Sequence, residues 1–299
     1  MTLSTISVEG ARAWAAAGRH MDVRGHRIFV RTGGSESAPP LLLLHGFPTS
    51  SLDWAPVWNE LAREHRLIAF DFLGFGFSDK PRHHVYDLME QASIAEAVAA
   101  AHGAPAPHLL AHDYGVSVAQ ELLARAREGG PLAVRSCCFL NGGLIPESHR
   151  ARFIQRLLAS PLGVLVAMLI SQKRFAESFS AVFAPATRPS QAELDGYWAA
   201  MTHQNGHRLG HKQIRYMEDR RKHRARWVGV LEHPLVPIAL INGSVDPVSG
   251  VHLADAVATL NPLIPITRLD DVGHYPQVEA PERVLEAYRM FRASLVAPR

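Results

Sequence analysis

The chain has 299 residues, 47% hydrophobic and 20% charged, a balance that excludes a disordered, collagenous or coiled-coil protein and leaves ample material for a core. Its two cysteines, Cys137 and Cys138, are adjacent in an apolar run, so neither a disulfide framework nor a cysteine zinc site is expected, and a reducing compartment is. The net charge of +3 is small, and much of it falls in Arg215–Arg226, where Glu218 and Asp219 interrupt the bases; a solvated helix face is expected there, not a nucleic-acid partner.

The N-terminal segment MTLSTISVEGARAWAAAGRH lacks a basic start followed by a long apolar core and does not read as a secretory signal. Short apolar runs follow at His26–Thr32, Pro40–Leu44, Arg66–Asp71, His108–Ala111, Val134–Leu140, Val236–Ile241 and Ile264–Leu269. Runs such as LLLL, RLIAFD and VPIALI do not alternate with polar residues, so they predict strands buried on both faces. Helical patterns occupy Asp87–His102, Tyr114–Arg127 and Pro281–Leu295. This alternation predicts an α/β protein with a mostly parallel sheet flanked by helices. Between residues 145 and 231 the rhythm changes: no good strand appears, and aromatic, His and Arg content rises. An inserted helical cap over 145–231 is expected, dividing one core into 1–144 and 232–299. Within the cap, the apolar stretch Leu157–Ile170 has 14 residues broken by Ser160 and Pro161. A membrane span needs about 20, so a protein without one, and cytoplasmic, is expected.

The most informative segment is Pro107–Leu122, PHLLAHDYGVSVAQEL, where a buried strand runs into a helix through Ala111-His112-Asp113-Tyr114-Gly115. Ala111 and Gly115 are the small residues that a sharp strand-to-helix turn requires, and such a turn presents Asp113 as a nucleophile. Taken alone, Asp113 reads equally well as a helix N-cap. Two loops favour the first reading. Asp246 lies in NGSVDP after one strand and His274 in DDVGHYP after the next, at the carboxyl ends where open α/β sheets bind ligands. In HGFPTSS, after the tetra-leucine run, the Phe47 amide could join that of Tyr114 as an oxyanion hole. Asp71 competes for the acid's role, while His45 and His112 read as loop-holding groups. His83, His84, His203, His207 and His211 read as surface histidines without metal-ligand spacing, so neither metal nor cofactor is expected.

His45–Pro48, the Asp71–Pro81 segment DFLGFGFSDKP, the Asp113 elbow and Gly273-His274 together resemble the α/β-hydrolases that use an aspartate nucleophile, the epoxide hydrolases and haloalkane dehalogenases. The resemblance implies the α/β-hydrolase fold, with Asp113 as nucleophile, Asp246 as acid and His274 as base. A carboxylate is already ionised at neutral pH, and its attack on an sp³ carbon yields a stable ester that water activated by His274 can hydrolyse. A small apolar substrate is expected. The dehalogenases of this group hold halide with a Trp just after the nucleophile, where this chain has Tyr114, with Phe47 at the other nearby position. An epoxide needs a proton donor instead, and Tyr216 in IRYM resembles the cap tyrosine of the epoxide hydrolases; Tyr197 matches no motif. Hydrolysis of epoxides to diols is therefore expected, with haloalkane dehalogenation or non-catalytic binding of an apolar ligand as alternatives.

Overall fold

The structure, a computed structural model, describes residues 6–295. The first five residues of the N-terminal segment read above lie outside the described residues; the rest of it includes a helix, Val8–Ala16. Eight strands form one sheet: β1 Arg19–Val23, β2 His26–Gly33, β3 Pro40–Leu44, β4 Arg66–Phe70, β5 His108–Ala111, β6 Ser136–Phe139, β7 Ile238–Gly243 and β8 Ile266–Leu269. Their order is β1-β2-β4-β3-β5-β6-β7-β8. β1 and β2 are antiparallel to their neighbours, and every later pairing is parallel.

The unbroken apolar runs have the cause inferred from sequence. Leu41, Leu43, Leu67, Ala69 and Leu110 pack into the core on one face of the sheet, and their neighbours Leu42, Leu44, Ile68, Phe70 and Leu109 pack into the core on the other. Every residue of β5, β6 and β7 is buried. β1 was invisible to the same reasoning because its residues, RHMDV, are mostly exposed and form no apolar run; β2 recruits them at the sheet edge. The helices Ala55–Glu64 and Val251–Leu260 also lie beyond the patterns picked out in the sequence.

The chain leaves β3 to one side and returns to the other side through β5, so the carboxyl ends of β3 and β5 flank the point where strand order reverses. The turn after β5 is tight. A Cβ on Gly115 would lie 2.6 Å from the Leu44 carbonyl carbon and closer still to its oxygen. Because that neighbour is backbone of a central strand, it cannot yield cheaply. Gly115→Ala is expected to cost about 1–3 kcal/mol, read as a lower denaturant midpoint at unchanged slope; an unaltered midpoint would show that the elbow tolerates a methyl group.

Between β6 and β7 the chain forms only helices and turns, from Pro146 to Glu232. In the basic run of this insertion Arg215, Glu218, Arg221, Lys222 and Arg224 form the solvated face expected of it, whereas Arg220 and Arg226 turn inward. Arg226 pairs with Glu121, buried on the helix Tyr114–Arg127, and with Glu128; the Trp227 indole donates to the same Glu121 at 2.8 Å. Gln120 on that helix donates to the carbonyls of Leu144 and Trp227. Arg220 is only 2% exposed. A pattern of alternating charges does not reveal which side of a helix meets a buried carboxylate, and here that side faces the core.

Candidate active site

Asp113 has φ 44° and ψ −100°, a conformation that costs a non-glycine residue energy and persists only where its surroundings impose it. It precedes the helix Tyr114–Arg127, yet its side chain makes no capping hydrogen bond. The N-cap alternative therefore fails: the carboxylate turns away from the helix, and Oδ2 accepts from the Phe47 amide at 3.1 Å. Tyr114 opens the helix, so its N–H has no carbonyl a turn earlier within it.

His274 faces the same carboxylate, with Nε2 3.9 Å from Asp113 Oδ2. Its other ring nitrogen, Nδ1, lies 2.7 Å from Asp246 Oδ2. Asp246 is itself fixed: its oxygens accept from Asn141 Nδ2 (2.9 Å), the Val248 amide (2.7 Å), the Ser249 amide (3.0 Å) and the Ser249 hydroxyl (2.6 Å). Burial pushes the Asp246 carboxyl up, but His274 and these donors outweigh it and hold the group below its ordinary range. Burial likewise pushes the His274 ring down, whereas Asp246 and Asp113 on its two sides raise it to about 10. For Asp113, burial acts upward and is overcome by His274, Arg220 and His112, so its carboxyl is ionised well below the usual carboxylate range.

Several neighbours serve the frame. His45 Nδ1 meets the Gly46 carbonyl, and its Nε2 accepts from the Phe72 amide. Burial and His274 push His112 down to about 3, leaving a neutral ring whose Nε2–H donates to the His274 carbonyl at 2.8 Å. Asp71, the rival acid, accepts from the amides of Ser51 and Phe77 and so braces the two loops. Asn141, at the end of β6, was not picked out in the sequence; its Oδ1 accepts from the Gly243 amide while its Nδ2 reaches Asp246. Only the pairing of β6 with β7 brings it there.

Arg220 was also missed. Its Nε donates to Ser117 Oγ (2.7 Å), and its Nη2 donates to the Asp113 carbonyl (2.8 Å) and lies 3.7 Å from Asp113 Oδ1. The guanidinium sits 4.4 Å from the centre of the Tyr216 ring, a cation–π distance. Tyr216 is fully buried between Phe47 and Tyr114, and its oxygen accepts from Gln155 Nε2 at 3.1 Å, which leaves its own O–H free to donate. Burial and the nearby Asp113 raise its pKa. Tyr197 is buried away from this group, against Phe179 and Tyr275.

A cleft of about 920 Å³, counting space open to solvent, leads to Asp113 and His274. Its floor comes from the loops after β3, β4, β5, β7 and β8, and its roof from the insertion, including Leu158, Phe175, Phe179 and Met201. The lining is mainly apolar, with Arg152, Gln155, His207 and Gln213 among the polar exceptions. His207, expected at the surface, is half-buried against this cleft; its isolated position in sequence gave no sign of the roof's curvature.

A sharp strand-to-helix turn carrying Asp113 at a sheet's reversal point, roofed by an insertion after β6, defines the class, and the chain belongs to the α/β-hydrolase fold family, whose sequence model it matches over residues 39–281. It is 41% identical over 290 residues to the human mesoderm-specific transcript homolog protein, covering 93% of this chain and 87% of that one. LipZ of Mycobacterium tuberculosis is 39% identical over 277 residues, covering 92% and 96%. Among solved structures, the haloalkane dehalogenase DbeA from Bradyrhizobium elkani superposes with a TM-score of 0.78 at 24% identity, covering 93% of this chain and 98% of that one. No helix among the described residues is long and apolar enough to cross a membrane.

Proposed function

We propose that this hydrolase opens epoxides to vicinal diols through an ester formed on Asp113. The observation that carries the reading is the Asp113 carboxylate itself. It stands at the elbow without a capping role, with the Phe47 N–H on Oδ2 and His274 Nε2 3.9 Å away. Oδ2 is then the oxygen that becomes the ester carbonyl, and Oδ1 attacks. A C–O bond of the ring breaks as the Oδ1–C bond forms, and the alkoxide takes the Tyr216 proton. Water next attacks the ester carbonyl carbon and gives its proton to His274, which Asp246 orients through Nδ1. The tetrahedral oxyanion rests on the amides of Phe47 and Tyr114. As that intermediate collapses, His274 protonates the departing diol oxygen, and the proton left on the Asp113 carboxyl returns to His274, whose resting proton has re-formed the Tyr216 phenol.

What departs decides between an epoxide and a haloalkane. A leaving halide needs N–H donors that face the cleft beside Asp113; the described cleft lining contains no Trp or Asn, and Arg220, 3.7 Å from Oδ1, commits Nε and Nη2 to Ser117 and the Asp113 carbonyl. Tyr216, fully buried beside the lining residue Phe47 and not itself part of the lining, is the phenol this reading assigns to the alkoxide. A panel of terminal and disubstituted epoxides and brominated alkanes tests the choice: diol formation is expected, slowed about 10²-fold in Tyr216→Phe. Halide release without any diol would replace this reading with dehalogenation, and inertness to the whole panel alongside tight binding of an apolar ligand would replace it with a binding function.

A further inference from the structure

We propose that the outer face of helices Phe153–Leu158 and Gly163–Leu169 docks the protein onto an anionic phospholipid surface. Phe153, Leu162, Val164, Leu165, Met168 and Leu169 are each more than half exposed there. Single exposed apolar residues are unremarkable, but six within 17 residues of chain form a patch of the kind that soluble surfaces usually avoid. The flanks specify what covers it. Exposed Arg150 precedes the patch, exposed Arg156 lies within it and exposed Lys173 and Arg174 follow it, and no Asp or Glu occurs in the sequence between Glu147 and Glu177. Apolar residues bordered along the chain by bases, with Asp195 reaching this segment at Gln172, fit the boundary between lipid acyl chains and negatively charged headgroups. The helices are too short to span a bilayer, so the segment lies on it.

Their inner side adds a consequence. Ile154 and Leu158 of the first helix and Ile170, just beyond the second, line the cleft above Asp113. The docked face and the cleft are thus opposite sides of one thin layer, which suits ligands that partition into lipid. The docking itself does not rest on the hydrolytic reading and is measured without turnover.

The test is co-sedimentation of the full chain with vesicles of phosphatidylcholine alone and of equal parts phosphatidylcholine and phosphatidylglycerol. Binding is expected only to the mixed vesicles and should weaken as salt is raised. Leu165→Asp/Met168→Asp alters exposed positions only, so its unfolding temperature should match wild type while its partitioning falls at least about tenfold; Lys173→Glu/Arg174→Glu should weaken binding as well. No sedimentation of wild type with anionic vesicles overturns the proposal. So does a self-association that the aspartate substitutions abolish in the absence of vesicle binding, because the face would then belong to a second copy of the chain.

Discussion

His274→Gln, mixed with an epoxide substrate, is expected to gain the mass of one substrate molecule and to keep it. The two chemical steps ask different things of the site. Attack requires an ionised carboxylate, and Asp113 is ionised far below neutral pH because His274, Arg220 and His112 outweigh the effect of burial. Removing the charge of His274 leaves Arg220, 3.7 Å from Oδ1, to hold the carboxylate ionised, so the ester still forms. Its hydrolysis requires a base beside the ester, and among the groups described around Asp113 only His274, 3.9 Å from Oδ2, stands in that position. His112 cannot substitute: its Nε2–H is committed to the His274 carbonyl and its ring lies deep in the frame. Turnover should fall at least about 10³-fold while ester formation proceeds within about tenfold of the wild-type rate. Intact-mass measurement checks both statements. Asp113→Asn supplies the complement, with no adduct and turnover lowered about 10⁴-fold or more. An adduct in Asp113→Asn, or none in His274→Gln under conditions where wild type makes diol, sinks the mechanism.

How much of this was legible in the sequence depends on whether each residue's partner is near in the chain. Asp113 could be singled out because the constraint on it is local: a buried strand, a small residue on each side and a helix start within five positions. Asp246 and His274 could be placed because each follows an apolar run, and parallel strands bring their carboxyl ends to one edge. Arg220 and Asn141 could not. Arg220 looks like one base in a charged helix, and only the return of the insertion over the sheet carries it to Asp113, more than a hundred residues earlier. Asn141 acquires its partner from the neighbouring of β6 and β7, which the insertion separates in sequence. The limits of β1 and of the cleft were hidden for a related reason: a polar edge strand and a curved roof have no periodic signature.

The same network predicts that Asp246→Asn disables the enzyme chiefly by placing the His274 proton on the wrong nitrogen. Asp246 receives hydrogen bonds from Asn141, Val248, Ser249 and the ring itself, an arrangement suited to an acceptor with no protons of its own. An asparagine there must point its NH₂ at donors. Turned towards His274, that NH₂ needs Nδ1 as acceptor and leaves the proton on Nε2, the atom that faces Asp113 and must accept from water. A loss of up to about 10⁴ in hydrolysis follows, the scale of a wrong tautomer in a comparable base.

The charge consequence is measurable separately. In the resting protein Asp246 and Asp113 outweigh burial and hold His274 protonated up to about 10, which a base for water cannot be at neutral pH. Ester formation removes the Asp113 charge and lowers the His274 pKa, so that His274 passes its proton to the Tyr216 phenolate left by ring opening and becomes the base only when there is an ester to hydrolyse. Asp113→Asn imitates that neutralised state, so His274 should titrate lower in it than in wild type by NMR of labelled histidine, and lower again when Asp246 is also replaced. Stability carries the same sign. A folded-state pKa raised above the unfolded value of about 6.5 contributes stability that is full below that pH and is lost as pH rises towards about 10. Wild-type unfolding free energy should therefore fall across that window, and that of Asp246→Asn should fall less. A wild-type His274 titrating near 6.5, unmoved by Asp113→Asn, would break the link between the two steps.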